Sequence, residues 1–227
     1  MYAARLNGLD SNTTYEYRVI TAAGTTPPMR FKSWPQAGDD VSQGRFIVIS
    51  DIQGNNPDWL TRVFEHGVIR RDCDGDVLTC VERFAGIIIT GDLVDDGDNI
   101  SQWREEYFAV GDSLFRYLPQ LMIIGNHDYA LSNYLYYAAP PANASLTHGE
   151  EWYRLDYLNF RFIGLQSNLT VQGGAQQLLE QELFVRNELA DARNSGTIDY
   201  LFAGIHALCK SELWIPGESL QVCHFVQ

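Results

Sequence analysis

The amino-acid sequence predicts an α/β fold, and three observations lead to that class. From about residue 45 onward, short apolar runs alternate with amphipathic helical stretches. The apolar runs are continuous, which is typical of strands that are buried on both faces of a sheet. Polar clusters directly follow the runs, as they do at the carboxyl ends of strands in open α/β sheets.

The predicted elements follow in chain order. Strands are expected at residues 46–50, 87–90, 121–124, 152–157, 160–165 and 200–205. A turn at Leu158 and Asn159 joins the fourth and fifth of these strands as a hairpin. Helices are expected at residues 57–71, 101–117 and 175–193. Pro57 suits a helix N-terminus, Ser101 can cap the second helix, and leucines recur on a helical period in the third.

The first 34 residues precede this α/β pattern and read as β structure without a core of its own. Aromatic and polar residues alternate there, as they do along a half-buried strand. The next stretch contains Gly, Pro and paired Asp, a composition typical of a linker. We therefore expect a β segment at residues 1–34, a linker at 35–44 and a separate domain at 45–227.

Composition excludes several classes of protein. The chain has 227 residues, with 16 Lys+Arg against 29 Asp+Glu and a net charge of −13. It therefore lacks the basic field that a general nucleic-acid binder or anionic-membrane binder needs, although a metal-filled site could still attract a phosphorylated substrate. No apolar run approaches the roughly 18 residues of a membrane span. The sequence does not indicate an oligomeric state.

The cysteines and glycosylation sequons bear on the compartment. The preferred disulfide pairing joins Cys73 to Cys80 and Cys209 to Cys223, and four free thiols are the alternative. Four Asn-x-Ser/Thr sequons begin at Asn12, Asn99, Asn143 and Asn168. Both features favour a secreted or periplasmic protein, although the given start encodes no signal peptide.

Side chains that can bind metal stand at the ends of four predicted strands. They are Asp51, Asp92, Asn126 with His127, and His206. Each alone is compatible with a turn, a helix cap or a structural histidine. Together they form an oxygen and nitrogen ligand set at one edge of a sheet, which suits Mn²⁺, Fe²⁺ or Zn²⁺. We therefore expect a metal site, either mononuclear or dinuclear, with Asp92 as the candidate bridging carboxylate.

From about residue 45 to its end, the chain resembles the calcineurin-like metallophosphoesterases, in particular the branch related to purple acid phosphatases. The resemblance rests on Asp51-Ile52-Gln53, Gly91-Asp92-Leu93-Val94-Asp95, Gly125-Asn126-His127-Asp128 and the later His206. It implies a layered α/β/β/α sandwich and two divalent metal ions (Mn, Fe or Zn). It also implies hydrolysis of phosphate mono- or diesters, in a phosphorylated small molecule or another phosphoester substrate, by a metal-activated water.

The resemblance also implies a role for each matching residue. Asp51 would bind the first metal and Asp92 both metals. Asn126 and His206 would bind the second metal. His127 would be held by Asp128 and would face the phosphoryl group, and these two residues would be the catalytic pair. Asp95 would contact the metal ligands without binding metal itself.

The sequence departs from the family pattern at several points. Gln53 stands where many relatives have His, and it is either a weaker metal ligand or a bystander. Asp95 stands where purple acid phosphatases have a Tyr ligand, so their iron charge-transfer colour is not expected. No Gly-His-x-His follows His206. We therefore expect a C-terminally incomplete catalytic domain, with a catalytically impaired or non-enzymatic relic as the alternative and a single-metal hydrolase of another substrate as a third possibility.

The N-terminal segment carries a second resemblance. Residues 5–9 and 13–19 are similar to the last strands of the fibronectin-III-like module that precedes the catalytic domain in purple acid phosphatases. This implies that residues 1–34 are the C-terminal remnant of such a module. An unrelated β extension is the alternative, because alternating Tyr, Val and Thr are ordinary strand residues.

Overall fold

The computed structural model describes residues 4–36, 38–54, 57–128, 131–138, 151–169 and 174–207. Four short strands open the chain. Strands β1 (Thr14–Tyr17) and β4 (Met29–Lys32) pair antiparallel, and β2 (Ile20–Thr21) pairs with β3 (Gly24–Thr25) between them. This N-terminal segment therefore forms the predicted β structure. Its identity as a fibronectin-III-like remnant stays a prediction.

The first sheet and its helices follow. Strands β5 (Phe46–Ile49), β6 (Gly86–Ile89) and β7 (Gln120–Met122) pair in parallel in that order. Between β5 and β6, α1 (Pro57–Arg62) continues into π-helical turns at Val63–Asp72 and is followed by α2 (Val77–Arg83). Between β6 and β7, α3 (Ile100–Gln102) continues through π-helical turns at Trp103–Phe108 into α4 (Ala109–Phe115).

The second sheet is mixed. After α5 (Leu131–Tyr137), strands β8 (Tyr153–Tyr157) and β9 (Phe160–Leu165) form an antiparallel hairpin. The predicted two-residue turn joins them, and Leu158 adopts the positive φ of 53° that such turns favour. Helix α6 (Gly174–Ser195) then leads to β10 (Tyr200–Ile205), which pairs in parallel with β9 and completes the order β10-β9-β8.

Three apolar clusters define the layers. Ile88 and Leu121 of the first sheet pack with Tyr153 and Phe162 of the second, so the two sheets face each other. The other face of the first sheet is covered by helical residues, whose buried members include Leu60, Phe64, Trp103, Tyr107 and Leu114. The outer face of the second sheet is covered by Phe184 of α6. The α/β/β/α sandwich is therefore confirmed, and the residues that follow β5, β6 and β10 meet at a common edge.

Two short helices were not predicted, namely α2 and α5. Each has seven residues, too few for a helical period to stand out in the sequence. Helix α2 is fixed locally, because the Asp76 carboxylate accepts a hydrogen bond from the Leu78 N–H at 2.9 Å and caps the helix. A buried disulfide between Cys73 and Cys80 also ties it to the preceding helix.

The Cys73–Cys80 pairing confirms one of the two predicted disulfides, whereas Cys209 and Cys223 lie outside the described residues. Among the sequons, Asn12 and Asn99 are exposed and Asn168 is buried. Asn143 also lies outside the described residues. No helix in the described ranges combines the length and the apolar character that a membrane span needs.

Candidate metal centre

The loops that follow β5 and β6 carry the two aspartates of the site in an unusual backbone conformation. Asp51 and Asp92 both have a φ of 53°, a left-handed conformation that costs non-glycine residues energy. The loops support each other, because the Asp51 N–H donates to the Gly91 carbonyl at 3.1 Å and the Ile52 N–H donates to the Asp92 carbonyl at 3.0 Å. These bonds hold both carboxylates at the same edge of the first sheet.

The ligand atoms converge across the two sheets. Asp51, Asp92 and His206 each offer one ligand atom, and these atoms all lie within 4.8 Å of one another. His206 follows β10 of the second sheet, whereas the aspartates belong to the first. Asn126 joins the cluster, with its Oδ1 3.0 Å from Nε2 of His206. The structure therefore brings these four side chains together, and their role as metal ligands stays a prediction.

The hydrogen bonds of His206 define which nitrogen faces the cluster. Its Nδ1–H donates to the Thr90 carbonyl at 2.8 Å. Its Nε2 therefore points at two oxygen atoms, Oδ1 of Asn126 at 3.0 Å and Oδ1 of Asp92 at 3.4 Å. In the neutral ring, the lone pair of Nε2 would point at the lone pairs of these oxygens, which is unfavourable. A proton on Nε2, or a metal ion between Nε2 and the two oxygens, removes this repulsion. The donor set of the site therefore fits a divalent cation.

Asp92 lies at the centre of the cluster and is 3% exposed. Its Oδ1 accepts from the His127 backbone N–H at 3.0 Å, and its Oδ2 accepts from Nε2 of Gln53 at 2.9 Å. Burial works to raise the pKa of Asp92, but the His206 ring and the His127 N–H hold that pKa below its usual value. The same contact acts on His206: burial disfavours the charged ring, whereas the Asp92 carboxylate raises the pKa of His206 above its usual value.

Gln53 lies beside this carboxylate. While its Nε2 binds Asp92, its Oε1 is buried and has no hydrogen-bond partner among the described residues. Buried polar atoms are ordinarily satisfied, so an unpaired oxygen on a side chain that contacts the Asp92 carboxylate is a place where a cation fits. The structure thus brings Gln53 to the site, and its role as a ligand stays a prediction.

The relation expected between His127 and Asp128 is corrected by the structure. Asp128 does not hold the His127 ring. It is fully buried, and its carboxylate accepts from the N–H groups of Leu93 at 2.8 Å, Val94 at 3.2 Å and Gly125 at 3.0 Å. Because its oxygens accept from these backbone donors, Asp128 binds the loop after β6 to the loop after β7. Burial raises the pKa of Asp128 to about 6 despite these bonds.

Asp95 takes the place that was expected of Asp128. Its carbonyl accepts from the Nδ1–H of His127 at 2.6 Å, and its carboxylate lies 3.5 Å from the same nitrogen. The carbonyl contact also raises the pKa of His127. The ring is therefore held in the tautomer that leaves Nε2 free, and it is partly exposed to solvent.

Two residues that support the site were not predicted. Asn168 is buried and donates from Nδ2 to the Gly125 carbonyl at 2.7 Å. Glu106 is buried and accepts from the N–H of Asp95 at 2.9 Å and of Gly54 at 3.3 Å. The sequence carries one signal for Glu106, because its position is flanked by the buried Trp103 and Tyr107 on a helix. No comparable signal marks Asn168.

Two curated proteins are similar to the chain in sequence. Two curated proteins of Mycobacterium tuberculosis, both described as uncharacterized and from the CDC 1551 / Oshkosh and H37Rv strains, are 26% identical to the chain over 241 residues. The matches cover 89% of this chain and 42% of each relative, so the chain spans less than half the length of these relatives.

A solved structure shows the same fold. It is a purple acid phosphatase isolated from yellow lupin (Lupinus luteus) seeds, which matches with a TM-score of 0.55 and 19% sequence identity. The match covers 78% of this chain and 34% of the lupin chain. In addition, the sequence profile of the calcineurin-like phosphoesterases matches residues 44–212. Because that match covers well over half of the sequence and contains every residue of the metal centre, the chain belongs to the calcineurin-like phosphoesterase family.

Proposed function

We propose that this chain hydrolyses phosphate mono- or diesters with the help of two divalent metal ions. The observation that carries the proposal is the convergence of Asp51, Asp92 and His206, whose ligand atoms lie within 4.8 Å of one another. Membership of the calcineurin-like phosphoesterase family supports phosphoester hydrolysis as the reaction class. The similarity to a purple acid phosphatase supports the fold in which these ligands are placed.

The ligands divide between the two proposed ions. Asp51 and Gln53 would hold one ion, Asn126 and His206 the other, and Asp92 both. The two oxygens of Asp92 support a bridging role, because Oδ1 faces His206 and the His127 N–H while Oδ2 faces Gln53. When bound, such ions would activate water and neutralise charge on the phosphoryl oxygens. Zn²⁺, Mn²⁺ and Fe²⁺ all suit this ligand set.

His127 would act on the phosphoryl group. Its Nδ1–H is engaged by the Asp95 carbonyl, so Nε2 is the atom that can hold or release a proton. That contact raises the pKa of His127 and so favours the protonated ring, which could donate to a phosphoryl or leaving-group oxygen. Asp128 would contribute by holding the two loops, since its oxygens accept backbone N–H groups.

The wider assignments are also proposals. The Cys73–Cys80 disulfide supports a secreted or periplasmic location, because such bonds persist in oxidising compartments. The exposed sequons at Asn12 and Asn99 are compatible with that location. The paired strands β1 and β4 are compatible with a remnant of a fibronectin-III-like module. The substrate is proposed only as a phosphoester, from the family and the ligand set.

The test is hydrolysis of a chromogenic aryl phosphate and an aryl phosphodiester by the purified chain. The assay is run with chelator, with added Mn²⁺ or Zn²⁺, and with an Asp92→Asn variant. Metal-dependent turnover that is lost in the variant is the expected result. The alternative is a phosphoesterase-like domain that binds metal without turnover. Calorimetric metal binding without hydrolysis would support that candidate and contradict the proposed enzyme.

A further inference from the structure

A buried carboxylate close to the metal centre has no part in the proposed chemistry. Glu106 lies in the π-helical turns Trp103–Phe108, and 8% of its surface is exposed. Its helix neighbours Glu105 and Arg104 pair with each other at the surface. A carboxylate is costly to bury unless its oxygens are hydrogen-bonded, so the contacts that Glu106 makes indicate why it is there.

Glu106 contacts two loops of the site through one oxygen. Its Oε2 accepts from the backbone N–H of Asp95 at 2.9 Å, in the loop after β6. The same atom accepts from the backbone N–H of Gly54 at 3.3 Å, in the loop after β5. A single side chain therefore joins two loops that are not adjacent in the sequence.

The loop after β5 leads directly to a proposed metal ligand. Gly54 follows Gln53, whose N–H donates to the Asp92 carbonyl at 3.1 Å. The Gln53 amide also donates to the Asp92 carboxylate at 2.9 Å. A shift of the Gly54 N–H away from Glu106 would therefore move the amide that lies against the proposed bridging carboxylate.

The loop after β6 leads to the proposed proton donor, His127. Asp95 uses its N–H to bind Glu106 and its carbonyl to accept from the Nδ1–H of His127. The carbonyl thus fixes both the tautomer and the direction of the ring. Because N–H and carbonyl belong to the same loop residue, the position of Glu106 is transmitted to His127 through one short segment.

The helix that carries Glu106 is itself well anchored. Trp103 is fully buried and donates from Nε1 to the Gly97 carbonyl at 2.9 Å, and Tyr107 is 1% exposed. Both side chains belong to the apolar cluster under the first sheet. Glu106 is therefore presented to the loops from a rigid element, which is what a residue that sets the geometry of a site requires.

We propose that Glu106 is a positioning residue, which holds the Gln53 amide and the His127 ring in place through the backbone N–H groups of Gly54 and Asp95. The acceptor oxygen, and not the negative charge, is the property that matters. The effect on turnover rests on the proposed function. The effect on the loops and on the His127 ring does not, and it can be measured in the metal-free chain.

The experiment compares three substitutions at this position. Glu106→Gln keeps an acceptor oxygen, Glu106→Met removes it at similar volume, and Glu106→Asp keeps the charge but withdraws the oxygen by one methylene. Glu105→Met is the matched control, because Glu105 is an exposed neighbour on the same helix. Each variant is examined for amide hydrogen exchange at Gly54 and Asp95, for the ring ¹⁵N shifts of His127 at one mildly alkaline pH, and for kcat and KM.

The Glu106→Met and Glu106→Asp variants should lose about tenfold or more of the exchange protection at both amides, since one hydrogen bond of this kind is lost. The His127 ring should no longer show a single Nδ1–H tautomer. We expect kcat to fall about ten- to hundredfold with KM changed less than about threefold, since misplacement of a catalytic group acts mainly on the chemical step. Glu106→Gln and Glu105→Met should resemble the unmodified chain in every measurement.

Three results would overturn the proposal. One is unchanged exchange and ring shifts in Glu106→Met or, should that variant not fold, in Glu106→Asp. Another is a Glu106→Gln variant as impaired as Glu106→Met, which would make the charge the important property. A third is an equal change in Glu105→Met. If the unmodified chain proves inactive, the proposed enzyme fails by itself, while exchange and ring shifts still decide the role of Glu106.

Discussion

The backbone N–H of His127 donates to the Oδ1 atom of Asp92 at 3.0 Å. This bond joins the loop after β7 to the loop after β6 at the centre of the proposed metal site. It fixes one oxygen of the proposed bridging carboxylate and the backbone of the proposed proton donor at the same time. Any change that disturbs either loop should therefore affect both metal binding and the His127 ring.

The pH dependence of stability should contain a contribution from Asp128. Burial raises the pKa of this group to about 6 in the folded chain, above the value near 3.8 of an exposed carboxyl. The folded state then binds more protons than the unfolded state between these values, so this group makes the free energy of unfolding fall as pH rises from about 4 to about 6. The fall should reach about 3 kcal/mol at most.

The measurement is urea unfolding of the metal-free chain at several pH values, for the unmodified chain and for Asp128→Asn. Their difference in unfolding free energy should shrink as pH rises through this window and stay constant above it. Asp58→Asn, at an exposed position in the first turn of α1, is the control. A difference that does not change with pH would contradict the raised pKa.

Gly125→Ala should disrupt the metal centre directly. A Cβ at this position would overlap the backbone nitrogen and the carboxylate of Asp92, neither of which can move freely. The variant should lose about 1–3 kcal/mol of unfolding free energy from overpacking. Its affinity for Mn²⁺ or Zn²⁺, measured by calorimetry, should also fall.

Gly67→Ala is the matched control for this variant. A Cβ at Gly67 would meet only a Val63 methyl group at 4.0 Å, on the helical stretch after α1. Alanine is favoured over glycine in a helix, so stability should rise by up to about 1 kcal/mol. Equal metal affinity in the Gly125→Ala variant and the unmodified chain would show that the close approach at Asp92 is not needed.

The Cys73–Cys80 disulfide should contribute measurably to stability. Its cysteines are seven positions apart, and closing a loop of that size restricts the unfolded chain by about 2.5 kcal/mol. A Cys73→Ser, Cys80→Ser double variant should unfold at correspondingly lower urea concentration. Peptide mapping without reductant should recover the two cysteines in one linked peptide, and it would test the remaining Cys209–Cys223 prediction as well.

Arg161 should be the most sensitive arginine in the second sheet. Its side chain is 3% exposed and is held by both oxygens of Asp156, by Glu188 at 3.0 Å and by Asp191 at 2.9 Å. Arg161→Met would leave Asp156 without its arginine and leave Glu188 and Asp191 paired with Arg154 alone. The unfolding free energy should therefore fall by about 1–3 kcal/mol. The reading is a thermal or urea unfolding curve.

Arg186→Met provides the comparison for this substitution. Arg186 pairs with Glu182 on the surface of α6, with 72% of its side chain exposed. Surface pairs of this kind contribute little, so the change should stay below about 0.5 kcal/mol. A similar loss of unfolding free energy in both variants would show that the ion pairs of Arg161 stabilise the fold no more than a surface pair does.

The sequence predicted five strands of the sandwich from apolar runs, such as Ile87–Ile89 in β6. It predicted the sixth, β8, from its pairing with β9 across a two-residue turn. It also predicted that Asp51, Asp92, Asn126 and His206 lie close together, and the structure brings these side chains together. It did not indicate that Asp128 faces backbone donors while Asp95 holds His127. Those contacts depend on how the loops fold over one another. Residue type alone does not indicate which aspartate, Asp95 or Asp128, contacts the His127 ring.

Glu106 shows a further limit of sequence reasoning. The helix around it has the expected apolar residues, and a glutamate among them is usually exposed. Its buried position follows from two donors, the N–H groups of Gly54 and Asp95, that come from distant loops. Helical periodicity gives the face on which a residue lies but does not give the polar groups opposite it.

The bond between His206 and the Thr90 carbonyl has a consequence for the maturation of the protein. It spans 116 positions and joins the second sheet to the first, so neither sheet alone contains the full ligand set. Contacts of such long separation form late in folding. In stopped-flow refolding, a metal indicator should therefore respond only with the slowest phase. Metal binding would then distinguish fully folded chains from partly folded ones, since a chain in which the two sheets have not yet packed together lacks a complete set of proposed ligands.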